Sequence, residues 1–404
     1  MQNQFNQITM MGLGYIGLPT AALIAKNNIK IQGVDVQQKV VDTINRGEIH
    51  IVEPDLDGLV KKVVSNKMLE ASTKVISSDA FLIAVPTPFK GDHIPDIAYV
   101  ESATQAIIPK LKKGDLFIIE STSPVGTTEK IANLIYKNRP ELKNEIFIAY
   151  CPERVLPGNV LYELVHNDRV IGGLNEESTH KAIQFYRNFV KGELHPTNAR
   201  TAEMVKLTEN SSRDVQIAFA NELSIICEKA DIDVWELIKL ANKHPRVNIL
   251  QPGTGVGGHC IAVDPWFIVS DFKEEAKIIR TAREINNYKS DWVVERIKTA
   301  AEDFKALKGH EPKVACMGLA FKPNIDDLRE SPALYVARWV KSKLTNILVS
   351  EPNVNEHAEF LIEDSVEIVE KADIIAFLVS HKEYKTLKIP EGKIVLDFCG
   401  VLAR

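Results

Sequence analysis

The sequence predicts an α/β protein with two Rossmann-like, doubly wound parallel-sheet domains, joined by a long central helix and a helical middle domain. Three observations predict this fold class. Apolar runs of strand length alternate with segments of helical period over residues 1–150, and the same alternation returns after about residue 306. Between them, residues 201–231 contain no Gly or Pro and repeat apolar residues at helical spacing. Such alternation is typical of parallel sheets covered on both faces, so we expect domains at residues 1–200, 201–305 and 306–404.

The individual elements follow from the same patterns. The strands of the first domain are predicted at residues 8–11, 29–36, 80–85, 116–120 and 146–150, and helical segments lie between them, for example at 18–26 and 97–111. The middle domain is predicted to hold helices at 201–231, 234–242 and about 273–301. The last domain is predicted to hold strands at 313–319, 346–350, 373–379 and 393–398, with helices at 332–343 and 357–361. The helix from residue 201 is longer than one domain requires, so we expect it to join domains and to offer a dimer surface.

Composition excludes several classes of protein. The 404 residues are 45% hydrophobic and 25% charged, as in a folded globular chain. The 49 Lys and Arg against 54 Asp and Glu give a net charge of −5, which lacks the basic footprint of nucleic-acid or anionic-membrane binding. We find neither a signal peptide nor a membrane-length apolar run, and expect a cytoplasmic protein. Five widely spaced cysteines without a Cys-x-x-Cys pair exclude a disulfide framework and a zinc ribbon.

A glycine-rich turn follows the first strand and opens a helix. It is Gly12-Leu13-Gly14-Tyr15-Ile16-Gly17. The first glycine permits a tight turn, the second lets the backbone approach a pyrophosphate, and the third lets the helix pack on the strand. Asp35 ends the second strand, where a carboxylate can bond ribose hydroxyls and repel a 2′-phosphate. The pattern therefore predicts NAD rather than NADP as the cofactor.

Two further strand ends carry hydroxyl groups toward the same edge of the sheet. Thr87 follows the run at 80–85, and Thr122 follows the run at 116–120. Each alone would be an ordinary turn residue. Because ligands of open α/β sheets bind at the carboxyl ends of strands, both threonines together with the glycine turn favour a cofactor site.

A second glycine-rich segment ends in a cysteine. Four glycines lie within residues 253–258, and Cys260 follows them. Such a loop exposes a thiol, whereas the other four cysteines lie in or beside apolar elements and are interpreted as small buried hydrophobes. A thiolate beside an NAD site suits aldehyde oxidation, because its addition gives a thiohemiacetal that can release hydride. His259 has no second His or Cys at ligand spacing, so we expect no metal.

The long helix carries a polar stripe. Lys206, Asn210 and Arg213 lie at positions i, i+4 and i+7 and therefore share one face. Such a stripe usually faces solvent, but this helix is otherwise patterned for packing near a domain junction. The stripe is thus a candidate functional face.

Taken with these motifs, further strings make the chain resemble the UDP-glucose/GDP-mannose dehydrogenase family along essentially its whole length. They are Thr122-Ser123-Pro124-Val125-Gly126, Cys151-Pro152-Glu153-Arg154, Cys260 with Asp264-Pro265, Gly318-Leu319-Ala320-Phe321-Lys322 and Arg329-Glu330-Ser331-Pro332. Longer strings at residues 44–54, 85–93 and 244–248 are similar to those members that oxidise UDP-N-acetyl-D-mannosamine.

The resemblance implies a four-electron oxidation of the C6 alcohol of a UDP-sugar to a carboxylate, with two NAD reduced in turn, for biosynthesis of a surface polysaccharide such as a capsule or common antigen. It implies that Lys206 and Asn210 stabilise the alkoxide and the later oxyanion, with Lys206 also able to relay a proton. Cys260 would attack the aldehyde and later carry a thioester. Glu153 and Asp264 would be the candidate acid/base groups for the hydrolytic water.

The motifs and the resemblance also name binding residues and partners. The cofactor residues are Gly12, Gly14, Tyr15, Ile16, Gly17, Asp35, Thr87, Thr122 and Arg329. The substrate residues are Arg154, Val155, Lys206, Asn210, Arg213, His244, Arg246, Gly257, Phe321 and Lys322. The cationic members suit a diphosphate. The family's long central helix implies a homodimer, and neither nucleic acid nor a membrane is an expected partner.

Two other interpretations stay open at this point. A two-electron dehydrogenase of the β-hydroxyacid type also has a Lys-x-x-x-Asn helix, but it needs neither a nucleophilic cysteine nor a second α/β domain, so Cys260 and residues 310–404 count against it. A binding protein that responds to NAD without turnover would not need Cys260, Lys206 or Asn210. Among substrates, UDP-glucose, UDP-N-acetylglucosamine and GDP-mannose are the alternatives.

Overall fold

The computed structural model describes residues 5–91, 93–155, 158–258, 260–344 and 346–402, so His259 lies outside the described residues. The chain divides into two compact units, the first ending at Thr208 and the second beginning at Glu209. The expected three-domain division, with boundaries near residues 200 and 305, stays a prediction.

The first unit alternates strands and helices along the chain. In order they are β1 Gln7–Met11, α1 Gly17–Lys26, β2 Lys30–Val34, α2 Gln38–Asn45, α3 Leu56–Ser65, β3 Leu69–Ser72, β4 Ala80–Ile83, β5 Phe89–Lys90, β6 Ile94–Pro95, α4 Ala98–Ile107, β7 Leu116–Ile119, α5 Thr127–Asn138, β8 Phe147–Tyr150, α6 Val160–His166, β9 Arg169–Gly173, α7 Glu176–Tyr186, β10 Leu194–Asn198 and the start of α8 Ala199–Lys229. β5 and β6 form a separate short hairpin.

One eight-stranded sheet organises this unit, in the order β10-β9-β8-β7-β4-β1-β2-β3. All neighbours run parallel except β8 and β9, which are antiparallel. Every residue of β4 and β7 is buried, as expected of strands with helices on both faces. β1 lies between β2 and β4, so the strand order reverses there, and ligands of such sheets bind beside the carboxyl ends of these strands.

The second unit begins within α8 and continues with helices and a smaller sheet. Its elements are α9 Val234–Ala241, α10 Asp264–Asp271, α11 Lys277–Lys308, β11 Val314–Met317, α12 Pro332–Lys343, β12 Ile347–Ser350, α13 Ser365–Lys371, β13 Ile374–Phe377 and β14 Ile394–Asp397. The four strands are all parallel, in the order β12-β11-β13-β14. The predicted fold class, two Rossmann-like sheets with long helices in the middle of the chain, is confirmed.

One predicted helix is wrong. Residues 357–361 are irregular, and the helix of this region is α13, several residues later. A five-residue segment is too short to repay helix nucleation. α13 instead has a capping residue, because the Asp364 carboxylate accepts hydrogen bonds from the backbone N–H groups of Val366 and Glu367. Across the described residues, no helix is long and apolar enough to span a bilayer.

Candidate active site

The glycine turn of the first unit has the geometry that the sequence predicted. Gly12 has φ +88°, and a Cβ there would lie 2.4 Å from the Ala84 carbonyl oxygen. A Cβ on Gly17 would lie 1.9 Å from the Gly12 oxygen, so neither position tolerates a side chain. Gly14 differs, because it is exposed and a Cβ there would meet nothing within 4 Å. The space beside Gly14 therefore fits a pyrophosphate approaching the start of α1.

Asp35 lies directly after β2 and beside this turn. Its Oδ2 accepts a hydrogen bond from the Leu13 N–H at 3.1 Å, and its Oδ1 accepts one from the Gln37 N–H at 3.0 Å. The carboxylate is only partly buried, so it retains lone pairs for a ribose. Tyr15 is exposed and Ile16 is partly buried at the same edge. Open space at Gly14 together with the acid at this strand end fits NAD.

The threonines predicted at the neighbouring strand ends lie on ordered turns. Thr87 and Thr122 are both partly exposed. Ser121 joins the two turns, because its Oγ donates to the Val85 carbonyl oxygen at 2.8 Å and accepts from the Val85 N–H at 2.9 Å. Glu203 of α8 accepts hydrogen bonds from the N–H groups of Gly126 and Thr128, at the start of α5. The turn carrying Thr122 is thus fixed at both ends.

Glu153 follows β8 and is paired with an arginine that the sequence analysis missed. Arg169 Nη2 lies 3.1 Å from Glu153 Oε2, and both side chains are more than nine-tenths buried. Glu120, also missed, follows β7 and accepts a hydrogen bond from the Tyr186 hydroxyl at 2.6 Å. A charged residue opening an apolar strand-sized run, as Arg169 does, is the signal that could have found this pair.

One residue of the polar stripe of α8 is hydrogen-bonded to another predicted site residue, Asp264. Asn210 Nδ2 donates to Asp264 Oδ2 at 2.5 Å. Asp264 is 3% exposed and is the first residue of α10. Lys206, four residues before Asn210, is partly exposed, and Arg213 is exposed. The structure therefore brings Asn210 and Asp264 together in the second unit.

Cys260 is exposed at the end of the glycine loop. Its carbonyl oxygen accepts hydrogen bonds from the N–H groups of Val263 and Asp264, at 3.0 and 2.8 Å, so the thiol lies one turn before α10. The predicted contrast among the cysteines is confirmed for Cys151, Cys227 and Cys316, which are buried, whereas Cys399 is partly exposed.

The glycine loop packs on the segment after β11. Cβ atoms on Gly257 and Gly258 would lie 2.7 and 2.9 Å from the Phe321 side chain, and the Gly258 N–H donates to the Arg329 carbonyl oxygen. Behind the loop, the Gly253 N–H donates to Asn221 Oδ1 at 2.9 Å. Close backbone approach is thus the reason for these glycines, and it places the thiol loop against predicted substrate residues.

The remaining predicted residues lie at exposed or partly exposed positions. They are Arg154 and Val155 after β8, His244 and Arg246 after α9, Lys322 after Phe321, and Arg329. Arg154 donates to the Asp168 carbonyl oxygen, and the Arg329 guanidinium is bound by the Asp327 carboxylate at 2.6 Å.

Comparison with known proteins gives matches over nearly the whole chain. Three models of the UDP-glucose/GDP-mannose dehydrogenase family match, the NAD-binding domain at residues 6–190, the central domain at 200–288 and the UDP-binding domain at 315–404. A UDP-N-acetyl-D-mannosamine dehydrogenase from Campylobacter jejuni is 55% identical, covering 98% of this chain and 100% of its own.

Two further relatives bear on substrate and fold. An NDP-N-acetyl-D-galactosaminuronic acid dehydrogenase from Ralstonia nicotianae is 51% identical, covering 98% of this chain and 96% of its own. The solved structure of a UDP-D-ManNAc dehydrogenase from Pyrococcus horikoshii superposes with a TM-score of 0.89, at 39% identity, covering 98% of this chain and 96% of that one.

Proposed function

The chain belongs to the UDP-glucose/GDP-mannose dehydrogenase family and is an NAD-dependent UDP-sugar dehydrogenase, and on this premise we propose that it oxidises C6 of UDP-N-acetyl-D-mannosamine to the carboxylate through a thioester on Cys260. The observation that carries the chemistry is the exposed thiol at the end of a glycine loop, one turn before the buried Asp264. The choice of sugar rests on the similarity to the Campylobacter jejuni enzyme.

The first step is oxidation of the C6 alcohol to an aldehyde. Lys206 and Asn210 stabilise the oxygen as it loses its proton, since an ammonium and an amide N–H favour a developing alkoxide. Asn210 is held by Asp264 at 2.5 Å, which fixes the amide for this role. NAD, held by the glycine turn and Asp35, would supply the hydride acceptor for this step.

The second step begins when the Cys260 thiolate adds to the aldehyde carbon. A C–S bond forms, and the oxygen of the resulting thiohemiacetal is stabilised by Lys206 and Asn210. Loss of a second hydride from this carbon, for which a second NAD would be the acceptor, leaves a thioester. Water then attacks the thioester, the C–S bond breaks, and the carboxylate and the thiol are released. Glu153 and Asp264 are the candidate groups that take the proton of the water.

The substrate residues supply the charge that a UDP group needs. We assign the diphosphate to cationic residues among Arg154, Arg213, Arg246 and Lys322, with Val155, His244, Gly257 and Phe321 completing the substrate contacts. Thr87, Thr122 and Arg329 complete the NAD site, with the glycine turn and Asp35. The three-domain division, with NAD binding in residues 1–200 and UDP-sugar binding in 306–404, is part of the same proposal.

We also propose that the protein works as a cytoplasmic homodimer in surface polysaccharide biosynthesis. Large apolar side chains are exposed along α8 and α9, among them Phe219, Ile226 and Leu240. Phe219 and Ile226 lie seven residues apart on one face of α8, as in a helix that packs against a partner.

A substrate panel with a thiol variant tests this proposal. NADH formation is measured with UDP-N-acetylmannosamine, UDP-N-acetylglucosamine, UDP-N-acetylgalactosamine, UDP-glucose and GDP-mannose. We expect the first sugar to give the highest kcat/KM, and Cys260→Ser to abolish acid formation while NAD still binds. Cys399→Ser, at a partly exposed cysteine, is the matched control and keeps activity. Acid formation by Cys260→Ser would reject the thioester route, and a higher kcat/KM for another sugar would reject the substrate.

A further inference from the structure

A buried cluster of ionisable groups lies at three strand ends of the first sheet, beside the NAD-binding edge. Glu120 follows β7, Cys151 and Glu153 follow β8, and Arg169 opens β9. Tyr186, at the end of α7, completes it. All five side chains are at least nine-tenths buried, which makes each charge here expensive unless it is paired.

The Arg169 guanidinium binds one of the two carboxyl groups of this cluster. Arg169 Nη2 forms an ion pair with Glu153 Oε2 at 3.1 Å. The same Nη2 donates to the Leu164 carbonyl oxygen, and the guanidinium carbon lies 4.8 Å from the Tyr186 ring centroid. Arg169 is therefore held on several sides, and its position fixes that of the carboxylate it binds.

The two carboxyl groups are treated differently by their surroundings. Glu153 Oε1 accepts a hydrogen bond from the Arg154 N–H at 2.7 Å, and its Oε2 faces Arg169. Glu120 Oε1 accepts a hydrogen bond from the Tyr186 hydroxyl. Oε2 of each carboxyl group is buried without a hydrogen-bond partner among the described residues, but Glu153 Oε2 has the Arg169 guanidinium at ion-pair distance, whereas Glu120 forms no ion pair with a described residue. An ionised carboxylate oxygen left unpaired in the interior carries a large desolvation penalty, which a proton removes.

The electrostatics agree with this geometry. Burial raises the pKa of Glu120 to about 7, with the charge of Glu153 raising it and Arg169 and Tyr186 lowering it. The groups that face Glu120 are Arg169 from β9, Tyr186 from α7, and Cys151 and Glu153 from the segment after β8. Burial raises the pKa of Cys151 to about 12, so this thiol stays neutral.

We propose that Arg169 is a positioning residue that holds the Glu153 side chain in place, and that Glu120 is the neighbouring carboxyl group that carries a proton. This inference deepens the proposed function, because it rests on Glu153 as an acid/base candidate for thioester hydrolysis. A base that takes a proton from water must be held in position, and here the buried guanidinium, 3.1 Å from Glu153 Oε2, holds it without help from the substrate.

Infrared spectroscopy tests the protonation directly and needs no turnover. A protonated buried carboxyl group absorbs at a different infrared frequency from a carboxylate. Wild-type protein is therefore expected to show a carboxyl band from Glu120 that disappears as pH rises through about 7. We expect Glu120→Gln to lose the band, since its amide still accepts from Tyr186 while nothing titrates. Glu153→Gln keeps the band but moves it to lower pH, because the negative charge opposing ionisation of Glu120 is gone. Glu70→Gln, at an exposed carboxylate of β3, is the control and leaves the band unchanged. Any other pattern, including no band in the wild type, overturns the inference.

Kinetics of Arg169→Lys test the positioning role. Lysine keeps the charge but loses the planar fork, so kcat is expected to fall about tenfold while KM for the UDP-sugar and for NAD stays within about twofold. An increase in KM with kcat unchanged overturns the positioning role. Absence of activity in the wild type with every sugar rejects the proposed function instead, and the infrared result still decides the protonation.

Discussion

The turn after β1 in the first sheet and the turn after β11 in the second sheet have the same backbone geometry but different surroundings. Gly12 after β1 and Gly318 after β11 both have positive φ, +88° and +102°. Each donates its N–H at 2.8 Å to the carbonyl oxygen that ends the next strand, Val34 in one and Ser350 in the other. An acid then follows that strand and accepts the N–H of the residue after the glycine, Asp35 from Leu13 and Glu351 from Leu319. The two loops are thus structural echoes.

The two loops differ in how far the acid is exposed and in how many hydrogen bonds it already accepts. Asp35 is partly exposed and lies beside an exposed Gly14. Glu351 is 2% exposed, and its Oε2 also accepts from the Ala320 N–H at 2.9 Å and faces His381 Nε2 at 3.1 Å. Where the first loop has Gly14, the second has the buried Ala320. The same backbone turn therefore leaves open space and a partly exposed acid in the first sheet, where we propose that NAD binds, and in the second sheet it holds the loop itself together.

The largest expected effect is the loss of stability on removing the Glu351 carboxylate. Glu351→Ala leaves two buried N–H groups and His381 without their acceptor, and should lower the free energy of unfolding by about 3 kcal/mol. Chemical denaturation measures the loss. Asp35→Ala is the matched control and should lose less, because Asp35 is partly exposed. Equal losses at the two positions would break the comparison.

Filling the open space beside Gly14 should weaken NAD binding without unfolding the protein. Gly14→Val places a side chain where a Cβ meets no atom within 4 Å, so the midpoint temperature of thermal unfolding should stay unchanged. The dissociation constant for NAD, measured by calorimetry, should rise about 100-fold, equivalent to about 2.7 kcal/mol. Unchanged NAD affinity would show that the pyrophosphate lies elsewhere.

Asp35 should determine the preference for NAD over NADP, a role that the buried Glu351 cannot have. Asp35→Ala removes the carboxylate that repels a 2′-phosphate, and should lower the preference for NAD over NADP about tenfold. Competition kinetics measure the ratio. Asp42→Ala, at an exposed acid of α2, is the control and should leave the ratio unchanged. If the Asp35 variant keeps the wild-type ratio, the ribose is read by another group.

The smallest effect is a pH dependence of the second unit. Burial alone would raise the pKa of Glu351, but hydrogen bonds from His381 and the Leu319 N–H outweigh it and hold that pKa below its ordinary value. The stability from these contacts is therefore present above the unfolded value of 4.5 and lost as pH falls through the lower folded value. The thermal midpoint of the wild type should fall more steeply below pH 4.5 than that of Glu351→Gln, and parallel slopes would contradict the assignment.

Local patterns explain how much of this could be predicted from the sequence. The glycine turn and the glycine loop with Cys260 are contiguous strings with a fixed geometric meaning, and Asp35 follows the turn at the end of the next strand, so their structural context could be predicted. The Asn210–Asp264 hydrogen bond joins residues 54 apart, and only the family resemblance named both. Arg169 was missed because its partner lies across an antiparallel strand pair that no sequence pattern indicated. Glu351 was missed because its partners, Leu319 and His381, come from two other strand ends.

The most direct test of the central claim is the number of NADH molecules formed per UDP-N-acetylmannosamine consumed, at saturating NAD. The thioester route through Cys260 requires two hydrides to leave the same carbon, so we expect two NADH and one uronate per sugar. One NADH per sugar, with aldehyde as the product, would contradict the account and remove Cys260 from its proposed role.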